Sequence, residues 1–142
     1  DYFKKKFLEL RLKPLNLGKK MNELAEQFVP EIIGNSYPPE VLENAIHSMS
    51  KIPIETYKKI IYCLVTFNRY QDFGEINIPC CLIAGKEDTN APFKTMEKMY
   101  YKLEKAEFHC IENAGHLVNL EAPVKTNKII MDFLENNLSD FC

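Results

Sequence analysis

Three histidines occur in the 142 residues, and one of them, His116, stands where an imidazole could do chemistry. It follows Gly115 in the stretch Glu112-Asn-Ala-Gly-His116-Leu-Val-Asn-Leu-Glu121-Ala-Pro123, directly after the apolar run Phe108 to Ile111 and just before a helical pattern that opens at Pro123. That is a loop at the carboxyl end of a strand, the place where open α/β sheets hold ligands and carry out reactions. Upstream, Asp88 ends the sequence Ala84-Gly85-Lys86-Glu87-Asp88 and follows a second apolar run, Cys80 to Ala84. An aspartate after a glycine is, taken alone, a turn or cap residue. Two successive strand-loop-helix units that each bring one member of a carboxylate and imidazole pair to the same sheet edge read instead as a functional dyad.

Other groupings carry less. Cys110 with His116 would make a thiol and a base, but a cysteine inside a strand lacks the exposed turn a nucleophile needs. His109, Cys110 and His116 could be grouped as metal ligands, yet no C-x-x-C spacing supports such a site. The sequence reading therefore assigns no metal and no cofactor.

The dyad needs elements to position it. From Lys19 the spacing of Met21, Leu24, Ala25 and Phe28 predicts a short helix stopped by Pro30. A second helix starts after Pro38-Pro39 with Val41, Leu42, Ala45, Ile46 and Met49 on one side; a third starts near Pro53 and buries Tyr57, Ile61, Leu64 and Val65. Residues Asp1 to Leu17 are ambiguous between strand and helix. Past Glu75 the pattern changes to strand, helix, strand, helix: Cys80 to Ala84 as a strand buried on both faces, Phe93 to Leu103, Glu107 to Ile111, and a last helix from Pro123 with Ile130, Met131, Leu134 and Leu138 inward. That order calls for a parallel pair joined by a crossover. The expected organisation is a lead-in and helical region over 1–67 and an α/β region over 68–142. Two strands of about five residues are a small sheet, so further sheet is expected to flank them.

Composition narrows the function classes. The chain is 46% hydrophobic and 27% charged, with a net charge of -2 and a pI of about 6.0, which leaves no global field for nucleic acid or anionic membrane. No apolar run approaches the about 20 residues that span a bilayer. Five cysteines, an odd number, argue against a disulfide framework and for a reducing, cytoplasmic setting. The first residue is Asp1, so translation is expected to start upstream.

The combination Asp72-Phe73, Ile76-x-Ile-Pro79, a strand, Gly85-x-x-Asp88, Pro92, then Ala114-Gly115-His116-Leu117 with Asn119-Leu120-Glu121-x-Pro123 resembles the carboxyl-terminal half of α/β-hydrolase fold proteins, in particular the 3-oxoadipate enol-lactonase-like group of small esterases. The resemblance covers residues 68–138 closely and residues 1–67 more loosely. It implies a partial α/β-hydrolase fold, with a helical cap followed by a β-α-β-α unit with parallel strands. It also implies Asp88 as the acid and His116 as the general base of a Ser-His-Asp triad, hydrolysing a small ester or lactone through a covalent acyl intermediate.

The nucleophile is the departure. No G-x-S-x-G occurs; the nearest segment, Ile46-His47-Ser48-Met49-Ser50, lacks both glycines and continues a helical pattern. Ser48 is therefore not read as the nucleophile, and the oxyanion hole of this family also falls on residues outside the chain. The expectation is a portion of a serine hydrolase, inactive when isolated. Two alternatives stand beside it: a non-catalytic binding or assembly module, including a homodimer paired through an exposed strand edge, and an enzyme with an aspartate nucleophile like the dehalogenases and epoxide hydrolases. The apolar cap faces with Tyr57, Tyr62 and Phe67 suggest a pocket for a small or medium acyl substrate, although core packing explains those residues better.

Overall fold

The amino-terminal stretch that the sequence leaves ambiguous is a helix. In the computed structural model, which describes the backbone of residues 2–141 and the side chains of residues 2–137, α1 runs Tyr2–Asn16. Pro14 lies in its last turn, where it removes little, and Gly18 at φ 92° ends it in the left-handed conformation that glycine tolerates. Helix α2 spans Met21–Ile32, so Pro30 does not stop it as predicted. The donor that Pro30 lacks would have served the carbonyl of Glu26, a solvent-exposed residue, one turn from the helix end. Helix α3 (Pro39–Ser50) starts at its proline, and α4 (Ile54–Thr66) starts directly after Pro53.

The chain divides into two compact units, Asp1–Pro30 with Leu42–Asn68, and Glu31–Val41 with Arg69–Cys142. In the first, α1 packs on α4. Leu12, Leu15, Met21, Leu24, Phe28, Tyr57 and Ile61 form its core, with Phe7, Leu8, Met49, Ile52 and Ile54 against it. Each fully buried side chain of this kind contributes about 1.5–3 kcal/mol. The Arg11 guanidinium lies 4.0 Å from the Phe28 ring centroid, so a cation is held against the core by its aromatic face. Burial pushes the Tyr57 phenol above its usual range, with the charge of Arg11 pulling the other way. Leu64, predicted inward, is 59% exposed, because the core of this unit stops one turn earlier at Ile61.

The second unit holds the sheet. Strand β1 (Cys80–Gly85) and strand β2 (Ala106–Ile111) pair in parallel, in register from Cys80 opposite Ala106 to Gly85 opposite Ile111. A parallel pair needs a long connection, supplied here by α5 (Phe93–Tyr100). Tyr100 brings its ring within 6.2 Å of Phe108. A 3-10 turn, Tyr70–Glu75, leads into the sheet, and after β2 come the short α6 (Val118–Glu121) and the long α7 (Pro123–Phe141).

Two expectations fail here. Cys80 to Ile83 are half-buried instead of buried on both faces, and only Ala84 and Gly85 are enclosed. On α7, Ile130, Met131 and Leu134 are 40%, 53% and 39% exposed, while the side chain of Leu138 lies outside the described residues. A two-stranded sheet is too narrow to cover a long helix or to flank β1 on both sides. No helix among the described residues is long and apolar enough to cross a membrane.

Candidate active site

The site is assembled from the two loops that leave the carboxyl ends of β1 and β2. They are tied to each other before any side chain is considered: the Lys86 N-H donates to the Ile111 carbonyl at 2.9 Å and the Glu87 N-H to the Ala114 carbonyl at 2.9 Å. Asn113 turns the second loop at φ 59°, a left-handed conformation that asparagine accepts better than most residues. The His116 N-H then donates to the Ile32 carbonyl at 2.8 Å, so the histidine's backbone is held against the 31–35 segment of the same unit.

Asp88 and His116 meet. His116 Nδ1 lies 2.7 Å from Asp88 Oδ2, with the aspartate side chain 7% exposed and the imidazole 37% exposed. Asp88 Oδ1 accepts the backbone N-H groups of Asn90 at 2.9 Å and Ala91 at 2.8 Å. One carboxylate oxygen thus fixes the turn and the other faces the ring. A carboxylate oxygen can only accept, so Nδ1 carries a proton, and in the neutral imidazole Nε2 then presents its lone pair. No described side chain hydrogen-bonds to Nε2. A sheltered carboxylate that orients an imidazole whose far nitrogen is free is the geometry of a general base.

The sequence reading missed how this loop is held. Glu121, quoted only as part of a motif, accepts three backbone N-H groups: Gly34 and Gly115 on Oε2, both at 2.8 Å, and Leu117 on Oε1 at 2.9 Å. Glu87 performs a parallel task, accepting the Asn35 N-H at 2.6 Å and Asn35 Nδ2 at 2.9 Å. Glu121 therefore grips the residues on both sides of His116 and ties them to Gly34. The signal for it was a carboxylate four residues past Leu117, one turn into α6, where it can reach back to the free N-H groups of the helix start. Charge-assisted bonds of this kind are worth roughly 1.5–3 kcal/mol each when well formed, less where solvent reaches them. Replacing Glu121 with alanine should cost about 2–4 kcal/mol in urea unfolding, and glutamine, which keeps one acceptor oxygen, should cost visibly less.

The remaining candidates separate. Ser48 is an exposed residue within α3, without the strand-to-helix turn of a nucleophile elbow. Cys110 lies inside β2 opposite Ala84, and burial pushes its thiol up, away from the reactive thiolate. His109 is the strand neighbour of Cys110 and so points to the other sheet face, while His116 is engaged with Asp88; the three do not form a metal-ligand group.

Comparison with known proteins bears on the fold. No family model matches the chain. It is 28% identical over 102 residues to monoacylglycerol lipase ABHD6 of Bos taurus, an alignment covering 68% of this chain and 30% of that protein. Among solved structures, the esterase EaEST from Exiguobacterium antarcticum superposes with a TM-score of 0.83 at 13% identity over 93% of this chain and 48% of that one. The enol-lactonase from Burkholderia xenovorans superposes with a TM-score of 0.74 at 22% identity over 81% and 45%. The chain spans about a third of the length of the curated relatives and about half of the solved ones. It has part of the α/β-hydrolase fold.

Proposed function

We propose that this chain is the carboxyl-terminal portion of a serine hydrolase acting on a small ester or lactone, of the enol-lactonase-like kind, with Asp88 as the acid and His116 as the general base. The observation that carries the reading is the 2.7 Å contact between a sheltered Asp88 carboxylate and His116 Nδ1, with Nε2 left open. His116 would take the proton of a nucleophilic hydroxyl through Nε2, and the Asp88 carboxylate would steady the imidazolium that results. Returned to the leaving group, that proton completes acylation; a water molecule activated in the same way releases the acyl group.

The nucleophile and the oxyanion hole belong, on this reading, to a preceding core segment. The apolar residues exposed on α7 and the half-buried β1 support it, since a wider sheet would cover both. Residues 1–67 would be the end of the core lead-in and the helical cap region, and 68–142 the carboxyl-terminal part of the core. Among the described residues the cysteines are free thiols, in keeping with a cytoplasmic setting.

The isolated chain should neither hydrolyse p-nitrophenyl esters nor be labelled by a fluorophosphonate, and supplying the preceding segment should restore both. Ester hydrolysis by the purified chain that survives His116→Ala would refute the proposal. A second reading, the non-catalytic binding or assembly module, draws on the open strand edges of the two-stranded sheet; its homodimer form predicts strand pairing between copies, and a concentration-independent monomer by sedimentation counts against it.

A further inference from the structure

The parallel register sets Cys81 directly opposite Glu107, and His109, two residues further along β2, falls on the same face. The thiol sulfur, a carboxylate oxygen and a ring nitrogen of these three side chains lie within 4.8 Å of one another. His109 Nε2 is 3.2 Å from Glu107 Oε1, yet that nitrogen is sealed from solvent and lacks a hydrogen bond of acceptable geometry. A buried polar atom without a partner is costly, and native structures rarely leave one without a purpose. The same three groups make a coherent donor set.

We propose that Cys81, Glu107 and His109 form a three-ligand site for a divalent cation of borderline softness, with Zn2+ the best match. Sulfur, imidazole nitrogen and carboxylate oxygen are the ligands zinc takes, whereas calcium and magnesium require oxygen alone. Ligand atoms about 2.0–2.3 Å from a tetrahedral zinc stand roughly 3.3–3.8 Å apart. The nitrogen and oxygen at 3.2 Å already nearly meet that spacing, and the sulfur, within 4.8 Å of both, would close in by rotation of its side chain. Burial, with the Glu107 carboxylate beside it, pushes the Cys81 thiol up to about 11, so the thiol keeps its proton until an ion displaces it: binding forms a metal-sulfur bond and breaks the S-H bond, and the proton passes to solvent.

The site is separate from the Asp88 and His116 pair. Cys81 is the second residue of β1, four steps and about 13 Å, at about 3.3 Å per residue, from the strand's end at Gly85, and Asp88 lies beyond that end, after a turn. The ion would clasp β1 to β2 across the sheet, giving it a structural or regulatory role. The grouping of His109 with Cys110 and His116, which the sequence reading set aside, mixes both faces of β2, because neighbouring residues of a strand point to opposite faces.

The test is titration of the purified 142-residue chain with Co2+, which reports a thiolate ligand by charge-transfer absorption in the near ultraviolet and four-coordination by its visible bands, followed by displacement with Zn2+ in a calorimeter. One equivalent should bind. Cys81→Ser should abolish the charge-transfer band, and His109→Ala should weaken Zn2+ at least about tenfold. Cys110→Ser, on the opposite face, should leave both signals intact. Circular dichroism of each variant confirms that it is folded, and Glu107→Gln gives an independent weakening should one of the others unfold. A band that persists in Cys81→Ser, one lost equally in Cys110→Ser, or non-saturating uptake by the unmodified chain would each overturn the proposal.

Discussion

On the proposed function, ester turnover by the chain joined to its preceding segment should fall on the order of 10⁴-fold when His116 is replaced by alanine, with the loss in kcat and little change in KM, because the imidazole acts on a proton moving in the transition state. The sharper experiment is Asp88→Asn. Asp88 Oδ1 holds the turn through the N-H groups of Asn90 and Ala91, and Oδ2 faces His116 Nδ1 at 2.7 Å. Asparagine can keep its carbonyl oxygen on the turn and so keep the fold. Its amide NH2 then faces Nδ1, which must become the acceptor, and the proton moves to Nε2. That nitrogen can no longer take the proton of a nucleophile. A fall of roughly 10⁴-fold is expected from the tautomer alone, with the cooperative unfolding transition kept and its midpoint lowered only slightly by the loss of the charge. Full activity in Asp88→Asn, measured as initial rates on p-nitrophenyl acetate, would remove the pair from the mechanism.

The second large effect is on stability. A Cβ built on Gly85 would collide with the carbonyl oxygens of Ala114 and Gly115 and stand 2.8 Å from the Ala114 carbonyl carbon. All of these are backbone atoms, which have no rotamer by which to retreat. Gly115 is equally confined: a Cβ there would meet the Gly34 nitrogen and lie 2.6 Å from the Ile32 carbonyl oxygen. Gly85→Ala should therefore push the loop carrying His116 away from the end of β1, destabilising the chain by about 3 kcal/mol or more. The same shift would part Asp88 from His116. Urea unfolding that places Gly85→Ala within about 0.5 kcal/mol of the parent would show that the two loops are not in contact as described.

These predictions also show where the sequence was informative. Asp88 and His116 were found because each follows an apolar strand run punctuated by a glycine, and those are local features of period and turn chemistry. Their contact needed little more than two successive strand-loop-helix units. The grip of Glu121 on Gly34 could not be found that way, since it joins residues 87 positions apart and no periodicity relates them.

What the residues determined alone is the order of the two strands and the longer helices from Met21 onward, and the two loops that carry the dyad, because helix and strand periods and the punctuation of glycine and proline are written in neighbouring positions. Tertiary structure alone decided three things: that Pro30 is carried inside α2, that the apolar residues of α7 stay exposed, and that Cys81 belongs with Glu107 and His109. Each depends on which surfaces are brought together. Burial and strand register are properties of pairs of distant segments, and a single segment's pattern does not contain them.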